Sequence, residues 1–352
     1  MQTGNSLDLP AADRATAKAA YDNAIVIDCS TVAIVDSWLE KVIQDEFFDK
    51  MIQGGVTATS VTVPQGSASG SSVVAAIKQL KAHREWIEAA PDKAILCLTA
   101  EDIRRAKRES RAGIIFGPQN ADMLEDVIDT VGLFHSMGLR VMQLTYNTRN
   151  YLGDGCLEPG NAGLSLFGHE VVKAMNEYGI VVDLSHCGDR TTAEAIEASS
   201  QPAIFSHANA RAVFDHPRNR TDDQIRAIAE KGGVICLTPF SSFVQEKVGA
   251  AAPLDALAAH FEHVVNLVGV EHVGLATDIN ENNETRRIWH RRENPDVVGQ
   301  ARYHNYPIGF DGDLRNYGVY AELFTKLGCT PDEVGAVMGG NLVRVFETVW
   351  GG

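Results

Sequence analysis

The chain has 352 residues, 45% of them hydrophobic and 22% charged, with a formal net charge of −15. This composition suits a soluble globular protein of one large or two medium α/β domains, and it speaks against nonspecific nucleic-acid binding and against docking on anionic membranes. Residues 1–14 carry no apolar core of signal-peptide length, no run of 18 apolar residues occurs, and six scattered cysteines lack any Cys-x-x-Cys, so a soluble cytoplasmic protein with reduced thiols is expected.

In chain order, residues 11–22 read as a helix and 24–28 as a short buried strand. An amphipathic helix is expected over 36–53, closed by Gly54-Gly55, and a β-rich run follows at 56–63. A Gly/Ser loop leads to a long helix over 73–90, a minor strand at 95–98, a helix at 100–108 and a strand at 113–116. Helix 122–137 precedes strand 140–146, and a turn-rich loop, 147–163, precedes helix 164–178. Strands at 180–184 and 203–205 enclose a helix over 190–199, the strand–helix–strand length that a parallel crossover needs. Helix 221–231, strand 233–238, helix 254–267 and strand 272–277 follow, then an aperiodic segment, 280–313, and helices over 315–350. Eight apolar strands alternating with helices predict a single (β/α)₈ barrel domain across residues 1–352, with 147–163 and 280–313 as loops over its mouth. No Gly-x-Gly-x-x-Gly follows the first strand, which weakens the competing doubly wound sheet.

Barrel chemistry collects where strands run into the following loops. The fifth and sixth strands both end in Ser-His, as Ser185-His186 and Ser206-His207. Neighbouring parallel strands lie about 4.8 Å apart, so the two imidazoles can reach one cation at roughly 2.0–2.1 Å. The other strand ends supply Asp28-Cys29-Ser30, Gln119, Asn120, Tyr146, Asn147 and Asp278.

These stretches resemble the renal or membrane dipeptidase family of zinc peptidases. The matching segments are Leu144-Thr145-Tyr146-Asn147, Gly163 to Gly168, Asp183-Leu184-Ser185-His186, Phe205-Ser206-His207, Arg218-Asn219, Val273 to Asp278, and Gly340 to Phe346, which together span most of the chain. The resemblance implies a metallo-dependent hydrolase-like (β/α)₈ barrel, two zinc ions, dipeptide hydrolysis and a homodimer. Carried over residue by residue, it makes His186 and His207 ligands of one metal. It makes Asp278 a ligand of the other metal and a proton-transfer group, and Arg218 the holder of the substrate carboxylate. The family's substrate-contacting histidine falls on Tyr146.

The remaining ligands differ. The family's Asp-Gly-His-x-Asp reads Asp28-Cys29-Ser30-Thr31-Val32 here, and its bridging glutamate falls on Gln119. Two dications roughly 3.5–4 Å apart need anionic ligands between and around them, which a neutral amide does not supply. One zinc or other divalent ion at most is therefore expected, on His186, His207 and Gln119, or none. Cys29 is a small buried hydrophobe or, alternatively, a thiolate ligand.

The expected activity is hydrolysis of a small carboxylate-bearing dipeptide or amide. Asp278, His186 and His207 would be catalytic, Arg218, Tyr146, Asn147 and His304 would bind substrate, and Tyr146 or Asn147 would donate to the developing oxyanion. A metal-free lyase or isomerase acting on a small organic acid and a non-catalytic family member are the alternatives. His216 would fix the loop carrying Arg218. Asp183 would orient an imidazole or cap a turn, and Glu281 is an extra acid or a solvated loop carboxylate.

Overall fold

The computed structural model describes residues 7–32, 35–36, 41–42, 46–64, 72–244, 253–280 and 306–351. All eight expected barrel strands are present: β1 (Ile27–Val32), β2 (Ala58–Val61), β3 (Ala112–Phe116), β4 (Val141–Gln143), β5 (Val181–Asp183), β6 (Ile204–Phe205), β7 (Val234–Leu237) and β8 (Val273–Leu275). They are buried nearly throughout and rich in Val and Ile, as parallel strands covered on both faces must be.

The pairing is parallel, β1–β2–β3 in one sheet and β4–β5–β6–β7–β8 in the other. The sheets meet at both seams. On one side the end of β3 bridges to the start of the next strand through Phe116 and Leu139, with Arg140 N donating to the Phe116 carbonyl at 3.1 Å. On the other, β8 kinks after Leu275 and resumes as Ile279–Asn280, which pairs with Thr31 and Val32 of β1. These contacts link the two sheets at their seams in the strand order of a (β/α)₈ barrel, and a short strand, Ala94–Leu96, lies on the first half of β3.

Helices cover the ring. Thr99 and Thr221 open Ala100–Glu109 and Asp222–Glu230 with capping boxes, in which hydroxyl and N3 side chain satisfy each other's backbone donors. One expected helix is corrected. Instead of a continuous helix over 36–53, Val35–Asp36 and Lys41–Val42 form an antiparallel pair, and only Phe47–Gly54 is helical. Valines at 35 and 42 suit a strand pair better than a helix interior, and Phe47, Phe48 and Met51 alone supply the buried face. The helix expected over 122–137 is also shorter, a 3₁₀ turn at Asp122–Leu124 and then Asp129–Ser136.

Candidate active site

Parallel strands deliver every C-terminal end to one face, and the predicted residues gather there in two clusters. The first stands on β5 and β6. His186 Nε2 and His207 Nε2 face each other at 2.9 Å, with the rings tilted by 60°. Each ring is gripped from outside. His186 Nδ1 lies 2.7 Å from Asn147 Oδ1, and the Tyr146 ring stacks on the imidazole at 4.1 Å between centroids. His207 Nδ1 lies 2.7 Å from Ser206 Oγ, whose own hydroxyl donates to Asp183 Oδ2 at 2.5 Å.

These contacts settle the tautomers. Asn147 Oδ1 is an acceptor and also receives the Cys156 thiol at 3.5 Å, so His186 carries its proton on Nδ1. Ser206 has spent its proton on Asp183, so His207 also carries its proton on Nδ1. With both protons on Nδ1, the two Nε2 lone pairs point at one another across 2.9 Å, a repulsive contact that a cation between them relieves. Burial first, and the Arg218 charge second, hold both imidazoles well below their usual pKa, which keeps them neutral.

Arg218 is 3% exposed. Its two Nη groups donate to the carbonyls of Ser185 and, at 3.4 Å, His207, while its guanidinium covers the Phe243 ring at 4.9 Å. The Nε donor is buried with no acceptor among the described residues. His216 Nδ1 accepts from Arg218 N at 3.1 Å and its ring packs on Phe243, so it steadies this turn.

The second cluster stands on β1, β3 and β8. Gln119 Nε2 donates to Ser30 Oγ at 3.0 Å and to Asp278 Oδ1 at 3.4 Å, and Ser30 Oγ donates to the same carboxylate oxygen at 3.5 Å. One extra residue on β1 between Asp28 and Thr31, relative to β2, marks the bulge that carries Ser30. Asp278 adopts φ +50, a left-handed conformation that non-glycine residues rarely take. On one side of it Thr277 N and Oγ1 donate to the Asp28 carboxylate at 2.9 and 2.5 Å, and the Tyr306 hydroxyl donates to the Asp278 backbone carbonyl at 3.1 Å.

The described hydrogen bonds of Gln119 run to the Asp278 side and none to either imidazole. Gln143 Nε2 donates to the Gln119 backbone carbonyl, and the expected role of Gln119 as a third ligand beside the two histidines is not among these contacts. Cys29 is fully buried, and its hydrogen-bonded contact with Cys236 drives its thiol pKa up, the opposite of what a ready thiolate ligand requires. His304 and Glu281 lie outside the described residues.

The donor set decides what the site can hold. Among the described residues, Asp278 is joined by an amide and a hydroxyl already bonded to it, a donor set that does not fit a dication. Two outward-anchored imidazoles with converging lone pairs do fit one, because partners on Nδ1 are what orients metal-binding histidines. Among the described residues no group of three or more His, Cys, Asp or Glu converges on a common point, so the described residues offer that ion two ligands where three are usual.

Beside the first cluster opens a cavity of about 260 Å³, walled by Gly155, Cys156, Asp189, Arg211 and Pro217. Neither histidine lines it, although Asn147 joins Cys156 to His186 and Pro217 precedes Arg218. Arg211 is neutralised there by a two-pronged bond to Asp189 at 2.7 and 2.8 Å.

Sequence reasoning missed the anchoring of His186 by Asn147 and the part played by Asp28. A signal for the second was present: Asp28-Cys29-Ser30 repeats the Asp-x-Ser spacing of Asp183-Leu184-Ser185.

Comparison with known proteins agrees with this architecture. The family model for membrane dipeptidase (peptidase family M19) matches residues 25–289. The dipeptidase verJ of Clonostachys rogersoniana is 29% identical over 263 residues, 72% of this chain and 66% of its own. An uncharacterized dipeptidase of Schizosaccharomyces pombe is 31% identical over 221 residues, 61% of this chain and 48% of its own. The chain thus spans about half to two thirds of the length of these relatives. Among solved structures, an amidohydrolase from Pseudomonas aeruginosa superposes with a TM-score of 0.85 at 31% identity, covering 96% of this chain and 100% of that one. The probable dipeptidase PvdM from the same organism gives 0.82 at 18% identity over 97% of this chain and 99% of that one, a likeness of fold. The chain belongs to the membrane dipeptidase family, peptidase family M19.

Proposed function

We propose that the protein hydrolyses a small carboxylate-bearing dipeptide or amide with one divalent ion at most, held by His186 and His207. One observation carries the reading: the two Nε2 atoms face each other at 2.9 Å while both Nδ1 atoms are held from outside. What a bound dication supplies is Lewis acidity toward a carbonyl oxygen or a water.

The chain's own residues do the rest. Asp278 takes a proton from the attacking water and returns it to the leaving amine. Gln119 and Ser30 share its Oδ1 and thereby fix the carboxyl plane. Arg218 offers its Nε donor, which has no acceptor among the described residues, to the substrate carboxylate as a charge-assisted bond. Asn147 spends only its Oδ1, an acceptor, on His186, and its Nδ2 amide or the Tyr146 hydroxyl donates to the developing oxyanion. The relatives' printed descriptions as dipeptidases support the same reaction class. A homodimer in the cytoplasm completes the proposal; no described helix is long and apolar enough to cross a membrane.

The test is to assay purified protein, supplied with zinc, manganese or cobalt, against dipeptides and N-acyl amino acids. Absence of hydrolysis across that panel overturns the reading. A second reading, metal-free proton transfer on a small organic acid, is favoured by the bonding of Asp278 to an amide and a hydroxyl. Stoichiometric metal that disappears together with activity in His186→Ala excludes it.

A further inference from the structure

We infer that Asp28 and Asp183 are positioning residues: one carboxylate clamp is built twice, and each copy aims one working residue of the site. The inference rests on the reading of His207 and Asp278 as working groups.

The two copies match contact for contact. At the end of β5, Asp183 Oδ1 accepts from Ser185 N at 3.0 Å and from Ser206 N at 3.0 Å, and Oδ2 accepts from Ser206 Oγ at 2.5 Å. At β1, Asp28 Oδ1 accepts from Ser30 N at 3.3 Å and from Thr277 N at 2.9 Å, and Oδ2 accepts from Thr277 Oγ1 at 2.5 Å. Each carboxylate thus binds the amide two residues on in its own strand, then the amide and hydroxyl of one residue from an adjacent strand end. The residue after that hydroxyl is His207 in one copy and Asp278 in the other. Both carboxylates are buried, neither has a cationic partner among the described contacts, and each costs desolvation that backbone turns alone would not require. Fixing a strand end to its neighbour, and with it the next side chain, is what that burial achieves.

The Asp183 clamp also dictates a protonation state. Its Oδ1 takes a third donor, Ser185 Oγ at 2.7 Å, while Oδ2 takes Ser206 Oγ alone. In Asp183→Asn the carbonyl keeps the three-donor position and the NH₂ occupies the other. Ser206 Oγ then accepts from that NH₂ and turns its own proton to His207 Nδ1 at 2.7 Å in preference to Ser185 Oγ, which is farther at 3.1 Å and already accepts from His207 N. The imidazole must carry its proton on Nε2, aimed at His186. The fold keeps its bonds, but His207 loses the lone pair through which it would hold a cation.

The experiment reads ring ¹⁵N shifts of histidine-labelled, metal-free protein together with Co²⁺ affinity by titration. The expected result for Asp183→Asn is His207 moving from Nδ1–H to Nε2–H, with Co²⁺ binding weakened about 10–100-fold, the usual cost of an outer partner. Ser206→Ala, which removes only the relay oxygen, is expected to give mixed His207 tautomers and a loss in the same range. For the second copy, Thr277→Val is expected to move the Asp278 carboxyl ¹³C chemical shift at fixed pH, the signal being assigned by its loss in Asp278→Asn, and to leave both histidine tautomers unchanged. Wild-type ring shifts in Ser206→Ala and in any folded Asp183→Asn, or an unchanged Asp278 signal in Thr277→Val, overturn the inference. None of these readouts needs a substrate, so a failed dipeptide assay and a failed clamp are told apart.

Discussion

Replacing Gln119 by glutamate restores the family's carboxylate at the one position where its absence matters most. The Gln119 amide nitrogen lies 3.4 Å from Asp278 Oδ1. Two unit negative charges at that separation repel by about 5 kcal/mol at an effective dielectric constant of 20. The lost amide hydrogen bond to a carboxylate adds about 1.5–3 kcal/mol. The full sum is not realised, because the pair relieves the repulsion by taking up one proton. The sign follows directly. Gln119→Glu should be less stable than wild type at pH 8, and the gap should close as the pH falls and the shared proton binds. Zinc or manganese should then stabilise the variant more than the wild type, since the restored anion and Asp278 can share a cation. The assay is urea denaturation across pH 5–8, with and without added metal. Equal stability at every pH, together with no extra response to metal, refutes the placement of Gln119 against Asp278 and the argument that its neutrality removes the second ion.

The other predictions touch separate parts of the mouth. In Gly155→Ala the new Cβ would lie 2.0 Å from the Tyr146 carbonyl oxygen and 2.3 Å from the Asn147 carbonyl carbon. That backbone must shift, so activity and cation affinity should fall while the urea midpoint changes by the modest amount of a loop rearrangement. Asn147→Ala removes the acceptor on His186 Nδ1 and should weaken Co²⁺ binding about 10–100-fold, whereas Asn147→Asp, which keeps an acceptor, should retain most of it. Burial pushes the Asp28 carboxyl up to about 7, against the hydrogen bonds from Thr277 and Ser30 that pull it down. A raised folded-state pKa contributes stability that is full below about pH 4 and is lost as the pH rises through 7. The stability of wild type relative to Asp28→Asn should therefore decline between pH 4 and 7, by at most about 1.4 kcal/mol per pH unit, and level off above; a flat difference across that range would contradict it.

The strand ring was legible because each strand is a short Val/Ile-rich run bounded by turn residues. Ile180-Val181-Val182 and Gly233-Val234-Ile235 admit little else once helices of ordinary length separate them. The segment over 36–53 was misread because Phe47, Phe48 and Met51 set a helical period that does not extend back to Val35 and Val42. In the site, His186 and His207 were visible as a repeated Ser-His ending. What a linear reading could not give is direction. Asn147 and Arg218 were both assigned to substrate, yet Asn147 turns back onto His186 and the Arg218 Nη groups turn onto the Ser185 and His207 carbonyls. Gln119 is equally ambiguous until its amide is seen to donate to Ser30 and Asp278.

The two halves of the mouth have diverged in charge while keeping the same scaffold. On the β1 and β8 side, the described donors to the Asp278 carboxylate, Gln119 and Ser30, are neutral. On the β5 and β6 side, the Arg218 guanidinium lies against the carbonyls of Ser185 and His207, directly beside both imidazoles. Its charge disfavours a proton on either ring, and by the same Coulomb term it disfavours a dication between them. A substrate carboxylate that pairs with Arg218 cancels that repulsion. Cation and carboxylate should then bind with positive coupling, each raising the affinity of the other by the same factor. Co²⁺ titrations with and without a saturating dipeptide measure that factor. In Arg218→Met the bare protein should bind Co²⁺ more tightly than wild type, and the dipeptide should add nothing. Equal Co²⁺ affinity in wild type and Arg218→Met would show that the guanidinium does not act on the histidine pair through its charge.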